Sequence, residues 1–143
     1  MKKEAPIGIF DSGIGGMTVA HAIQTLLPNE SILYFGDTAH LPYGDKSPES
    51  IRHYAARIAN FLLQRECKLI VIACNTASSF AQHIVRDICG PTIPVIDVIN
   101  PVAGYVAANF KNGHVGVIGT KGTISSRIYS KRIKAIESEV TVV

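Results

Sequence analysis

Short apolar runs alternate along this chain with longer stretches whose apolar residues repeat every three or four positions. Ile7 to Phe10, Ile32 to Phe35, Leu69 to Ala73, Pro94 to Ile96 and Val115 to Ile118 read as strands. Helices are predicted from about Met17 to Leu27, from Pro48 onward, from about Ala77 to Ile88, from Pro101 to about Phe110, and from about Thr123 to Ile136. The helix at Pro48 has the clearest start. Ser47 can cap it, Pro48 suits the first helical position, and Glu49 meets the positive end of the helix dipole. Within it, Ile51, Tyr54, Ala55, Ile58, Phe61 and Leu62 share one face.

The strands are continuously apolar rather than alternating, and each is followed by a helix. That pattern predicts an α/β fold, a parallel sheet flanked by helices on both faces. The last residues, Val140 to Val143, read as the opening of a sixth strand. A domain rarely stops inside a buried strand, so the chain is expected to be a piece of something longer.

Composition narrows the class. The chain has 143 residues, 47% apolar and 17% charged, which describes a globular protein with one ordinary core. No run approaches the roughly 18 apolar residues of a membrane span. Pro6 and Gly8 interrupt the amino terminus, so no signal peptide is read there and a cytoplasmic location is expected. Three cysteines, Cys67, Cys74 and Cys89, show no CxxC spacing, which argues against a disulfide framework or a four-cysteine zinc site. The net charge of +3 is mild. Its densest part, from Lys121 to Lys134, reads as a solvated helix face and not as a nucleic-acid surface.

In open parallel sheets, ligands gather outside the carboxyl ends of the strands. Here those ends carry Asp11, Ser12 and a glycine loop, then Asp37 with Pro42, Tyr43 and Gly44. The later ends carry Cys74, Asn75 and Thr76, then Asp97 and Asn100, and last Gly119 and Thr120. The loop DSGIGG is a poor dinucleotide fingerprint, because Thr18 stands where the third glycine is required and Asp11 would repel a pyrophosphate. GVIGTKGT fails as a phosphate loop at Lys121, and a phosphatase loop would need Arg where Phe80 stands. A small substrate with a carboxylate and an ammonium fits better. Backbone N–H groups and Ser12 would serve the anion, and Asp11 the cation or the orientation of a thiol.

Cys74 ends a strand and precedes a helix, where the free N–H groups favour a thiolate. Asp11 opposes that charge. Cys67 and Cys89 lie away from the strand ends and read as packing residues. Of the five histidines, only His40 is placed to approach Cys74. A thiol without a histidine partner suits proton transfer more than acyl chemistry.

The stretches IGIFDSGIGGMTV, YFGDTAHLPYG, VIACNTAS and VGVIGT, in this order, resemble the glutamate racemase family of the aspartate/glutamate racemase superfamily. The resemblance runs from Ile7 to the last residue. It implies interconversion of L- and D-glutamate without cofactor or metal, supplying D-glutamate for peptidoglycan. It makes Cys74 one of two cysteines that remove and return the α-proton. By the same resemblance Asp11, Ser12, Tyr43, Gly44, Asn75 and Thr76, with Thr120 added, contact the substrate.

The family's second cysteine, in a Gly-Cys-Thr-His motif, has no counterpart here. The resemblance implies two α/β domains facing each other, and a homodimer in the full-length form. Residues 1–98 would then be a first domain lacking its carboxyl-terminal completion, and 99–143 the beginning of a second. The fragment alone is expected not to racemise. Aspartate racemase, a related amino-acid racemase, and a non-catalytic module that binds a small anion are the alternatives.

Overall fold

The computed structural model describes residues 4–137 and 139–143. In chain order the elements are β1 (Ile7–Asp11), α1 (Met17–Leu26), β2 (Ile32–Gly36), α2 (Pro48–Gln64), β3 (Leu69–Ile72), α3 (Asn75–Cys89), β4 (Val95–Asp97), α4 (Ile99–Asn109), β5 (His114–Val115), α5 (Lys121–Ser126), α6 (Ile128–Ile136) and β6 (Thr141–Val142). A 3-10 turn, Tyr43–Asp45, interrupts the loop between β2 and α2.

Four strands form a parallel sheet in the order β2-β1-β3-β4, and β5 pairs in parallel with β6 as a second, two-stranded sheet. The fold is thus the α/β architecture, a parallel sheet flanked by helices, that the apolar runs predict. β1 and β3 are central and bury both faces. Ile7, Ile9, Val71 and Ala73 pack with Val19, Ala20 and Ile23 of α1, while Phe10, Ile70 and Ile72 join the cluster beneath α2 and α3. Because side chains alternate across a strand, a strand covered on both faces must be apolar throughout.

The two faces differ in depth. On one, α2 buries Ile51, Ala55, Ile58, Ala59 and Leu62, and α3 buries Ala77, Ala81 and Val85. Small residues at the seam let the two helices approach closely. On the other face α1 has no fully buried residue, and Met17 and Leu26 stay exposed. Around β5 and β6 a third cluster forms from Ala103 and Val106 of α4, Ile133 of α6, and Val140.

Several boundaries depart from the sequence pattern. Helix α3 starts at Asn75 and not near Ala77, because Cys74 acts as its cap. Helix α4 starts at Ile99, with Pro101 inside its first turn, where a missing N–H costs nothing. The single helix expected from Thr123 to Ile136 is two, broken at Arg127 in the left-handed conformation (φ 53, ψ 24). Strand β5 covers only His114–Val115, since its one neighbour, β6, is equally short. Among the described residues no helix is long and apolar enough to cross a membrane.

Candidate active site

The site is built from the carboxyl ends of β1 and β3 and the loops beside them. At the end of β1 the chain folds back on its own carboxylate. Asp11 Oδ2 accepts hydrogen bonds from the backbone of Gly13 at 3.1 Å and Gly16 at 3.0 Å. This turn requires glycine at position 16, where a Cβ would lie 2.7 Å from Asp11 Cβ and 2.8 Å from Ala73 Cβ. Asp11 is buried, and among the described residues its other oxygen accepts no side-chain or loop hydrogen bond. One oxygen thus holds the loop.

At the end of β3, Cys74 has an extended backbone and caps α3 with its sulfur, which accepts from Ala77 N at 3.4 Å. The Cys74 thiol donates to Ser12 Oγ at 3.6 Å. Burial pushes this thiol up from its ordinary range; the Ala77 amide and Ser12 hydroxyl pull it down, and the Asp11 charge pushes it up again. The balance is upward, so the site without substrate disfavours the thiolate.

Tyr43 and Gly44 follow a cis Leu41–Pro42 peptide. The Tyr43 ring is only 1% exposed. Its hydroxyl donates to Asp37 Oδ2 at 2.6 Å. Gly44 is a second place where only glycine fits, since a Cβ would meet Thr120 Cβ at 2.8 Å.

Asn75 and Thr76 open α3, where the first amides have no partner within the helix. Thr76 Oγ1 lies 2.9 Å from Thr120 Oγ1 and 3.4 Å from Thr123 Oγ1, tying α3 to α5. Asn75 Oδ1 accepts from the Tyr129 hydroxyl of α6 at 2.6 Å.

Between these groups lies an open cleft of about 540 Å³. Asp11, Ser12, Tyr43, Gly44, Cys74, Asn75, Thr76 and Thr120 line it. Cys74, although 6% exposed, is thus reached from the cleft and not sealed among aliphatics. All eight residues that the resemblance assigns to the site line one cavity, while Asp37, Asp97, Asn100 and Gly119 do not line it. Its donors are hydroxyls and N–H groups, and its carboxylate, Asp11, lies beside the thiol.

Comparison with known proteins decides the family. A family model described as Asp/Glu/Hydantoin racemase matches residues 17–143. The chain belongs to that family. Among similar proteins, the glutamate racemase of Geobacter metallireducens is 53% identical over 96% of this chain and 50% of its own length. That of Chlorobium phaeobacteroides is 48% identical over 98% of this chain and 51% of its own. The crystal structure of glutamate racemase from Francisella tularensis in complex with D-glutamate superposes with a TM-score of 0.91 at 46% identity, covering 97% of this chain and 51% of that one. The chain spans about half the length of the racemases it matches.

Set in this racemase family, several residues the sequence did not single out take up positions around the cleft. Tyr129 lines it and reaches Asn75. Thr123 lies behind it, bonded to Thr120. No short-range signal marks either contact. His40 does not approach Cys74; its Nδ1 sits 2.8 Å from Asp37 Oδ1 and its ring stacks on Tyr54 with centroids 4.1 Å apart. Asp97 is buried at the end of β4, where its carboxylate accepts from Ile99 N at 2.9 Å and Asn100 N at 2.8 Å at the start of α4. Cys67 and Cys89 lie in the cluster beneath α2 and α3. Among the described residues no group of three or more His, Cys, Asp or Glu could hold a metal ion.

Proposed function

We propose that this chain works as the amino-terminal half of an enzyme that interconverts L- and D-glutamate without a cofactor. Residues 1–98 would be most of a first α/β domain and 99–143 the opening of a second. The observation that carries the reading is the Cys74 sulfur at the floor of a cleft lined by hydrogen-bond donors and one carboxylate.

In this reading the substrate carboxylate lies against the first amides of α3, Asn75 and Ser12, and its ammonium against Asp11. Pairing Asp11 with the ammonium removes one of the charges that hold the Cys74 thiol up, so substrate entry favours the thiolate. The thiolate takes the proton from the α-carbon, and the electron pair moves into the carboxylate. The surrounding donors stabilise the charge that builds there. An acid on the opposite face returns a proton and inverts the carbon. That acid is not another cysteine of this chain, since neither Cys67 nor Cys89 lines the cleft. It would come from a second domain, and the half-chain alone would not racemise. The product would serve peptidoglycan synthesis in the cytoplasm, and the full-length form would be a homodimer.

The test joins this chain to the half of the Geobacter metallireducens relative that it does not match. Supplied with D-glutamate in deuterated water, the joined protein should place deuterium on the α-carbon and form L-glutamate. Loss of the reading follows if neither occurs while the protein is folded. Faster exchange with aspartate would instead favour an aspartate racemase, which the family description also covers.

A further inference from the structure

Helices α5 and α6 are separated by one residue, Arg127, whose left-handed backbone turns the chain sharply. That turn sets Tyr129, in the first turn of α6, across from the start of α3. The ring packs against the small cluster of Ala103, Ile133 and Val140, and the hydroxyl lies 2.6 Å from Asn75 Oδ1. We propose that Tyr129 is a positioning residue: it locks the Asn75 side-chain amide so that its N–H₂, and not its oxygen, faces the cleft and receives a substrate carboxylate.

The distance identifies the direction of the bond. A contact of 2.6 Å belongs to O–H···O geometry, since an amide N–H donating to a phenol oxygen sits near 2.9–3.0 Å. The phenol also keeps its proton, because burial pushes its ionisation up and the Asp97 charge adds to this. Tyr129 is therefore the donor and Asn75 Oδ1 the acceptor, which turns Nδ2 to the other side. Among the described residues Nδ2 has no partner, and Asn75 lines the cleft.

The consequence is the sign of the pocket. With Nδ2 inward, Asn75 joins Ser12 and the α3 amides as a donor set suited to a carboxylate. With the amide reversed, its oxygen would face the substrate oxygens and repel them. An amide without a fixed partner populates both orientations. Tyr129 thus acts through Asn75, from the part of the chain that carries β5 and β6, on a ligand it need not touch.

The inference rests on the cleft being an amino-acid site, and its test separates the two claims. In the joined racemase, Tyr129→Phe should raise KM for glutamate about fivefold in both directions, the scale of one lost hydrogen bond, with kcat within about twofold. In an Asn75→Ala background the same substitution should change KM less than about 1.5-fold. A structural role alone would give equal effects in both backgrounds, and that result, or no rise with Asn75 present, overturns the proposal. If Tyr129→Phe does not fold, the ¹⁵N-labelled joined protein decides: the Asn75 side-chain amide signal should shift on adding D-glutamate, and a signal that stays put overturns it. Absence of any α-proton exchange in the folded unsubstituted protein removes the racemase reading and this role with it.

Discussion

The thiol of Cys74 donates to the hydroxyl of Ser12 at 3.6 Å, across 62 positions of sequence, and so joins the end of β3 to the loop after β1. Two neighbouring strands of a parallel sheet thereby deliver a thiol and a hydroxyl to one spot. The same sulfur caps α3 through Ala77 N. Its surroundings act on the thiol in opposite senses, and burial prevails.

Cys74→Ser should abolish racemisation in the joined protein. A serine hydroxyl in the same place is far too weak an acid, and loss of positioned proton transfer costs on the order of 10²–10⁴-fold. Far-UV circular dichroism should be unchanged. α-Deuterium exchange near the unsubstituted rate would remove Cys74 from the mechanism.

The free-enzyme thiol is held above its ordinary range, and the base must be deprotonated. The acidic limb of kcat/KM should therefore be displaced upward from that of an ordinary exposed thiol. A limb complete by pH 7 would show that the site favours the thiolate before substrate enters.

Stability should fall in alkali. Burial raises the Cys67, Cys74 and Cys89 thiols, and Tyr34, half-buried near Asp11 and Cys74, is pushed up to about 12. A folded state that holds its protons more tightly than the unfolded chain is favoured below the unfolded pKa and loses that advantage as pH climbs through the folded one. The melting temperature should thus be flat below about pH 8 and decline above about pH 9. Replacing Cys67 and Cys89 with alanine should shallow the decline, and an unchanged slope would assign it to other groups.

Leu62 is fully buried where α2 meets the sheet. Leu62→Ala should cost about 2–5 kcal/mol in urea unfolding, the transfer loss plus the cavity left behind. A loss below about 1 kcal/mol would mean that this seam repacks freely.

Asp11→Asn separates the two oxygens of that side chain. The amide can still accept from Gly13 and Gly16, so thermal unfolding should move little. Glutamate binding should weaken by more than about tenfold, since a charge-assisted bond to the ammonium is lost. The opposite pattern, an unstable protein that binds normally, would make Asp11 a loop residue alone.

Much of the fold is written in local pattern. The apolar run before Cys74 and the periodic face of α2 need only neighbours in sequence to be recognised, and both elements form where the pattern puts them. Other features depend on groups far apart. Cysteine is not a common cap, so nothing before Asn75 announces that α3 starts there. Arg127 breaks a helix without any glycine or proline to mark it. Tyr129 meets Asn75 over 54 positions, a contact visible only once α6 is placed. His40 illustrates a local competitor: a carboxylate three residues back, at 2.8 Å, takes the ring that would otherwise be free to reach the thiol.

The three threonine hydroxyls, Thr76, Thr120 and Thr123, form a closed triangle with sides of 2.9, 3.1 and 3.4 Å. Each oxygen can give one proton and receive others, so the protons can circulate clockwise or anticlockwise without displacing a heavy atom. Thr76 and Thr120 are the corners that border the cleft. In either sense each hydroxyl spends its one proton inside the triangle, so a guest meets a lone pair there and is offered a proton only when one side opens, an adjustment finished in the time a hydroxyl takes to spin.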